Sequence, residues 1–263
     1  MSADTVKGDS QIEVLYGHHP VNEALRAGKR TIAEIWLARD KSSPRLNQVE
    51  ERAHSSDIAL TRVSPARLTA LAGSERHQGV CARVSSYPYI GLDDLVKGNN
   101  EEPADWSLPV CLLLLDSIQD PHNMGALIRT AYCAGNDGVV IPKDRSAAAT
   151  PDVSSISAGA LEHTRLSRVT NLVKVISALI SRGLWVAGLD RSGGDTLFSM
   201  DFTVPLAIVV GSEEKGLRPL VKKNCDMLVN IPQMGDVDSL NASVAGGIVM
   251  YEVFRQRQAI RTS

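Results

Sequence analysis

The stretch 230–252 reads N-I-P-Q-M-G-D-V-D-S-L-N-A-S-V-A-G-G-I-V-M-Y-E. With the residues before it, Asp226 to Ile231 reads as the end of a buried strand. Pro232 stops that strand, because it has no N–H to give to a ladder. Gly235 lets the chain turn where a side chain would clash. Ser239 and Asn241 straddle Leu240 just before a long apolar-periodic run, where side-chain oxygens answer the free N–H groups of a helix start. Ala242, Ala245, Gly246 and Gly247 leave one face of that helix bare, so another backbone can come close. A strand that ends in a tight polar loop and opens a helix is a common pocket wall in α/β proteins. It is equally an ordinary connection, and the rest of the chain decides between the two.

At 263 residues, 43% of them hydrophobic, the chain has room for one large domain or two ordinary ones. The longest uninterrupted apolar run, Val110 to Leu115, is far too short to cross a bilayer, so no membrane association is expected. The first dozen residues lack both the basic and the apolar region of a signal peptide, and the expected location is cytoplasmic. Cys81, Cys111, Cys133 and Cys225 are far apart with no C-x-x-C pair. Buried free thiols are expected, with no disulfide and no metal site. A formal net charge of −2 removes bulk attraction as a route to nucleic acid, so any RNA contact must be local.

Four segments follow from the pattern. Residues 1–11 read as a disordered tail. Residues 12–90 alternate strand and helix candidates, with helices over Val21–Leu25 (closed by Gly28), Pro44–His54 and Pro65–Leu71. The strands are Ile32–Leu37, Ile58–Val63 and Gly79–Val84. Residues 91–108 carry five acids against a single lysine, with Gly, Asn and Pro, and read as an acidic linker. Residues 109–263 form a second α/β domain. Its strand candidates are Val110–Leu115, Gly138–Ile141, Leu184–Leu189 and Leu206–Val210. Its helices are expected at Asn123–Ala134, Pro151–Leu161, Asn171–Ser181, Glu214–Lys222 and from the 239–241 loop to about Gln258. Continuous apolar strands between helices point to a parallel sheet buried on both faces. The fold class expected is thus α/β throughout.

No two of the 20 glycines are spaced as G-x-G, which excludes the dinucleotide fingerprint and disfavours a Rossmann nucleotide enzyme. G-S-E-E-K-G at 211–216 lacks the G-K-[ST] ending of a phosphate loop, and Ser212-x-x-Lys215 lacks the partner motifs of a nucleophile pair. Three clusters remain. In 115–135, Asp120-Pro121 forces a turn, Asn123 is placed to cap the next helix, and Gly125 shares a face with Arg129. A glycine one turn before an arginine leaves space for a bulky anion, which Arg holds bidentately; an Arg on a solvated face is the competing reading. In 210–219, Gly211 ends a strand at the sheet edge where ligands sit, and Glu213 suits a helix start or is simply a first-turn acid. The third cluster is 230–252.

In order and spacing these clusters resemble the three motifs of the SpoU (TrmH-like) branch of the SPOUT RNA methyltransferases. The family pattern N-x-G-x-x-x-R falls on Asn123, Gly125 and Arg129, and G-x-E-x-x-G on Gly211, Glu213 and Gly216. I-P-x-x-G-x-x-x-S-L-N-x-S-x-A falls on Ile231, Pro232, Gly235, Ser239, Leu240, Asn241, Ser243 and Ala245. Ser157-Ala158-Gly159-Ala160 is similar to the family's S-A-G-A helix. Tyr16-Gly17-x-His19 and His77-Gln78-Gly79-Val80 resemble the small RNA-binding domain of the RlmB-like members.

The resemblance implies a trefoil-knotted C-terminal domain, with residues 12–90 as an RNA substrate-binding domain. It implies S-adenosylmethionine held by backbone groups near Gly211, Ile231 and Leu240, with Gly235 and Ser239 beside them, and no metal. It implies a homodimer with active sites near the subunit interface, and methyl transfer to a ribose 2′-OH, in the RlmB-like group a guanosine of 23S-type rRNA. Asn123 with Ser239 or Asn241 would orient the ribose, Glu213 would hold Arg129 or the loop, and His19, Gln78 and Arg129 would meet RNA. A guanidinium stays protonated, so Arg129 is expected to clamp phosphate and stabilise alkoxide charge rather than act as a base. A tRNA ribose methyltransferase and a non-catalytic RNA-binding assembly factor are the rival readings. Glu214 stands where a glycine is common, and would be strained if that position needs a positive φ. Gln233 stands where the family favours Met.

Overall fold

The computed structural model describes residues 12–97, 109–234 and 239–261. The expected tail (1–11), most of the expected linker (98–108) and Gly235 lie outside the described residues. The chain forms two compact units, one of residues up to 88 together with 149–163, the other of 89–148 and 164 onward.

The first unit holds β1 (Glu13–Tyr16), α1 (His18–Ala27), β2 (Ile32–Ala38), α2 (Pro44–Ser55), β3 (Leu60–Val63), α3 (Pro65–Ala72) and β4 (Val80–Val84). The sheet order is β1-β4-β2-β3, with β2 and β3 parallel and β4 antiparallel to both its neighbours. Ser43 and Ser64 cap α2 and α3, each followed by a proline at the first helical position. Gly28 ends α1 in the left-handed conformation (φ 62°), donating its N–H to Ala24 O. Leu15, Ile35, Leu37, Val49 and Val80 fill the core. The strand β1 is not among the expected elements; four residues beside a polar segment give too little period to detect.

A single helix was expected at 151–161, but two short ones form, α6 (Pro151–Ile156) and α7 (Ala160–His163). Between them Ala158 (φ 53°) and Gly159 (φ 82°) are left-handed. A β-carbon at Gly159 would lie 2.7 Å from Glu23 Cγ and 2.9 Å from His19 O on α1, so the break brings α1 into contact. Polar bonds fix this packing. Arg30 and Glu162 are buried, at 5% and 1% exposure, with Arg30 Nε donating to Glu162 Oε2 at 2.8 Å. Arg30 also reaches Glu13 at 2.6 Å, and Ser154 Oγ donates to Glu162 Oε1 at 2.7 Å. Burial pushes the Glu162 carboxyl up and Arg30 pulls it back. Burial, and then the hydrogen bond to Asp152, push the Tyr16 phenol up to about 12.

The second unit holds α4 (Leu92–Lys97), β5 (Cys111–Asp116), α5 (Pro121–Cys133), β6 (Gly138–Pro142), β7 (Leu166–Val169) and α8 (Leu172–Ile180). It continues with β8 (Trp185–Leu189), β9 (Asp195–Thr196), β10 (Leu206–Gly211), α9 (Pro219–Asn224), β11 (Met227–Asn230) and α10 (Ala242–Arg261). The sheet is seven-stranded and parallel, in the order β7-β6-β5-β10-β8-β11-β9. The expected parallel sheet is therefore present, with β5 and β10 buried along their whole length at its centre. The chain runs outward from β5 through β6 to β7 and later returns to place β10 on the other side of β5. That reversal leaves a crevice at the carboxyl ends, where Asp116 pairs in register with Gly211.

The acidic stretch is helical at its start: Leu95 of α4 is buried and lies over Gly138, where a β-carbon would come within 2.2 Å of Leu95 Cδ1. The start of α5 is capped by Asp120, whose carboxylate accepts the His122 N–H, so Asn123 lies inside the helix rather than at its cap. The expected helix at 214–222 shrinks to Pro219–Asn224, since residues 213–215 turn instead. Among the described residues no helix is long and apolar enough to cross a membrane, and no group of His, Cys, Asp and Glu is placed to hold a metal.

Glu162→Ala leaves the buried Arg30 without its main partner and should lower stability by about 3 kcal/mol, read as an earlier midpoint in urea. An unchanged midpoint would mean that the ion pair carries no net weight.

Candidate active site

The carboxyl ends of β8, β10 and β11 and the start of α10 enclose a cavity of about 250 Å³. Gly211, Ile231, Ser239 and Leu240, expected at a donor site, line it, and so does Glu213, expected to hold Arg129 or the loop. Its apolar wall is Val210, Val229, Ala242 and Ala245; Asp190 and Ser212 give it a polar edge. Gly211 is required sterically, since a β-carbon there would lie 2.3 Å from Gly216 C. The loop 212–216 folds back over it, with Gly216 N donating to Ser212 O at 2.8 Å and Ser212 N to Gly216 O at 3.1 Å. The left-handed residue of this loop is Gly216 (φ 60°), and Glu214 has no positive φ.

The three motif segments meet at one polar junction. Asn123 Nδ2 donates to Glu213 Oε1 at 3.0 Å, and Asn241 Nδ2 donates to Asn123 Oδ1 at 3.0 Å. Asn241 Nδ2 also donates to Glu213 Oε1. The other end of Asn241 caps α10, its Oδ1 accepting from Ser243 N at 2.9 Å, Ser243 Oγ at 2.6 Å and Val244 N at 3.2 Å. A close approach of α10 to α5 makes this possible, because a β-carbon at Gly246 would come within 2.4 Å of Leu127 Cδ2. The bare helix face seen in the sequence is thus used.

Glu213 and Asn123 also line a second cavity, of about 610 Å³, on the other side of the 212–216 loop. Arg129 lines neither cavity. It lies exposed on α5 and has no hydrogen-bond or ion-pair partner among the described residues. Glu213 is held by the two asparagines and not by Arg129.

In the first unit, Gln78 takes a left-handed backbone (φ 53°) and its Oε1 accepts the His18 N–H at 3.3 Å. The His18 ring lies against that of the exposed His19, tilted by 43° with ring centroids 3.9 Å apart. His19 and Gln78 therefore share one surface. Burial, and then the neighbouring His19, hold the His18 imidazole below its usual range.

Asp190 lines the smaller cavity and was not among the expected site residues. It follows β8 and accepts from Ser192 N at 2.9 Å, Ser192 Oγ at 2.7 Å and Lys222 Nζ at 2.9 Å. Burial raises its carboxyl, but these partners outweigh it and hold the group below the ordinary range. An acid directly after an apolar strand was the available signal.

Comparison with known proteins places these features in a family. The model described as SpoU rRNA Methylase family matches residues 111–251, and the one described as RNA 2′-O ribose methyltransferase substrate binding matches 14–90. The Putative TrmH family tRNA/rRNA methyltransferase YacO of Bacillus subtilis is 40% identical over 253 residues, covering 95% of this chain and 98% of that protein. The SpoU methyltransferase AviRb from Streptomyces viridochromogenes, solved in complex with the cofactor AdoMet, superposes with a TM-score of 0.78 at 24% identity, over 94% of this chain and 90% of AviRb. That likeness concerns the fold. The A. aeolicus TrmH/SpoU tRNA modifying enzyme covers 63% of this chain and 79% of its own, with a TM-score of 0.52 at 26% identity. With both domain types matched in order, the chain belongs to the SpoU/TrmH family of RNA methyltransferases.

Proposed function

We propose that this protein transfers a methyl group from S-adenosylmethionine to a ribose 2′-OH of 23S-type rRNA, at a guanosine, as an RlmB-like member of the family. The observation that carries this reading is the Asn123–Glu213–Asn241 junction, which joins three distant segments between a donor-sized cavity and a larger polar one. The residues of the smaller cavity suit the donor: apolar Val210, Val229, Ala242 and Ala245 for a flat base, and Asp190, Ser212 and Ser239 for hydroxyl and amino groups. S-adenosylmethionine supplies an electrophilic methyl group on a sulfonium, and catalysis then rests on aligning an oxygen with it.

Glu213 is an acceptor for both asparagine amides, so it fixes their orientation. Asn123 and Ser239 are left to position the ribose at the boundary of the two cavities. Arg129 clamps the adjacent phosphate and stabilises the alkoxide charge that develops as the 2′-OH releases its proton to solvent and takes the methyl group, leaving a neutral thioether. Its distance from both cavity walls fits a homodimer in which each site takes Arg129 from the partner chain. The surface around it supports this, since Tyr132 on α5 and Val244, Tyr251 and Phe254 on α10 are exposed apolar residues on packed neighbouring helices. His19 and Gln78 contribute an RNA contact in the first unit. The full substrate-binding unit favours rRNA over the tRNA reading.

Two experiments test this. Arg129→Ala and Glu213→Ala should each lose at least about 10²-fold in methyl transfer. An equimolar mixture of the two, re-equilibrated into dimers, should regain about a quarter of wild-type activity, because about half of the dimers are mixed and one of the two sites in each is whole. No recovery would place Arg129 and Glu213 of one chain in the same site. Mapping ribose methylation in cells with and without the protein should show one guanosine lost from large-subunit rRNA. A loss confined to tRNA would overturn the substrate assignment, and RNA binding without any label transfer would favour an assembly factor.

A further inference from the structure

The 610 Å³ cavity contains a device that no motif of the family accounts for. Asp116, at the end of β5, is fully buried. A buried carboxylate is costly unless both oxygens are satisfied. Here one residue does most of that: Arg218 Nε donates to Asp116 Oδ1 at 2.6 Å and Arg218 N to Oδ2 at 2.8 Å. Backbone and side chain of residue 218 are thus fixed by the same group. The guanidinium is engaged through Nε alone, and its side chain keeps 38% exposure on the cavity wall. Its two terminal nitrogens, a ready fork, have no partner among the described residues.

Two further cations share the cavity with that fork. Arg145 and Lys215 line the same cavity and have no ion-pair partner among the described residues. Two of the three acids there are already committed: Glu213 to the asparagine junction, and Asp120 to the start of α5. Arg145, Lys215 and Arg218 stand opposite Asp120, Glu213 and Glu214 around a space large enough for a nucleotide, so an anion is drawn there by the open fork of Arg218 and not by net charge. We propose that Arg218, preset by Asp116, grips a backbone phosphate of the RNA next to the target nucleotide, with Arg145 and Lys215 completing the anion site. This rests on the RNA-methylating reading above and adds a residue that would hold the strand while the ribose faces the junction. Arg suits the task because its planar fork binds phosphate bidentately.

The test is equilibrium binding of the full chain to an in-vitro transcribed 23S rRNA over a series of salt concentrations. Arg218→Gln should weaken binding roughly tenfold and lower the slope of log affinity against log salt by about one. Arg218→Lys, which keeps a charge but not the fork, should keep the slope and lose part of the affinity. Binding of S-adenosylmethionine, followed by calorimetry, should be unchanged in both. If both variants keep wild-type RNA affinity and slope while their unfolding temperature falls, the pair is only a strut and the proposal is wrong. Failure of the wild-type protein to methylate any RNA would instead overturn the catalytic reading, since the binding measurement does not depend on transfer.

Discussion

At residue 211 there is no space for a β-carbon: its nearest neighbours would be the carbonyl carbon and oxygen of Gly216, at 2.3 and 2.4 Å. Because of that contact the loop 212–216 lies flat against the end of β10 and becomes a partition. One face closes the smaller cavity and the other opens to the larger polar one. Glu213 stands on the partition where amides from two different helices can reach it. The parallel register that sets Gly211 beside Asp116 brings the Arg218 clamp to the same edge. Both cavities depend on this one close approach between two short pieces of backbone.

Much of the architecture was legible because burial on both faces leaves a plain signature. Val110–Leu115 and Leu206–Val210 are unbroken apolar runs, and they are the two central strands. Helix starts at Pro44 and Pro65 were legible, and the structure adds a capping serine before each. The resemblance to the family motifs implied one site for Asn123, Glu213 and Asn241, and the structure joins the three by hydrogen bonds. What escaped had weaker local signals. β1, β7 and β9 are two to four residues long, too short for a period. The split of 151–161 into two helices depends on the approach of α1, which no local pattern records. The 102-residue separation of Asp116 and Arg218 is closed only by strand order, so neither residue alone suggested a role.

Burial and polarity are combined differently in the two units. In the first, buried charge is structural: Arg30, Glu162, Ser154 and Glu13 satisfy one another and tie α6 and α7 to the sheet. In the second, polar groups concentrate at the carboxyl edge of the sheet, while the core of Leu112, Leu114, Val140, Val186 and Val209 carries the cohesion. Arg257 of α10 is an exception, buried at 5% and satisfied by the carbonyl oxygens of Phe202, Val204 and Pro109. It secures the far end of the helix whose first turn serves the junction.

That first turn carries a consequence for dynamics. Asn241 uses its carbonyl oxygen to hold the start of α10 and its amide to hold Glu213 and Asn123. Fraying of the helix start and loss of the junction are therefore one event, with one local unfolding free energy. A site of this kind is assembled only while α10 is fully wound, so any partner that stabilises its first turn raises the population of the competent state without touching the ligand.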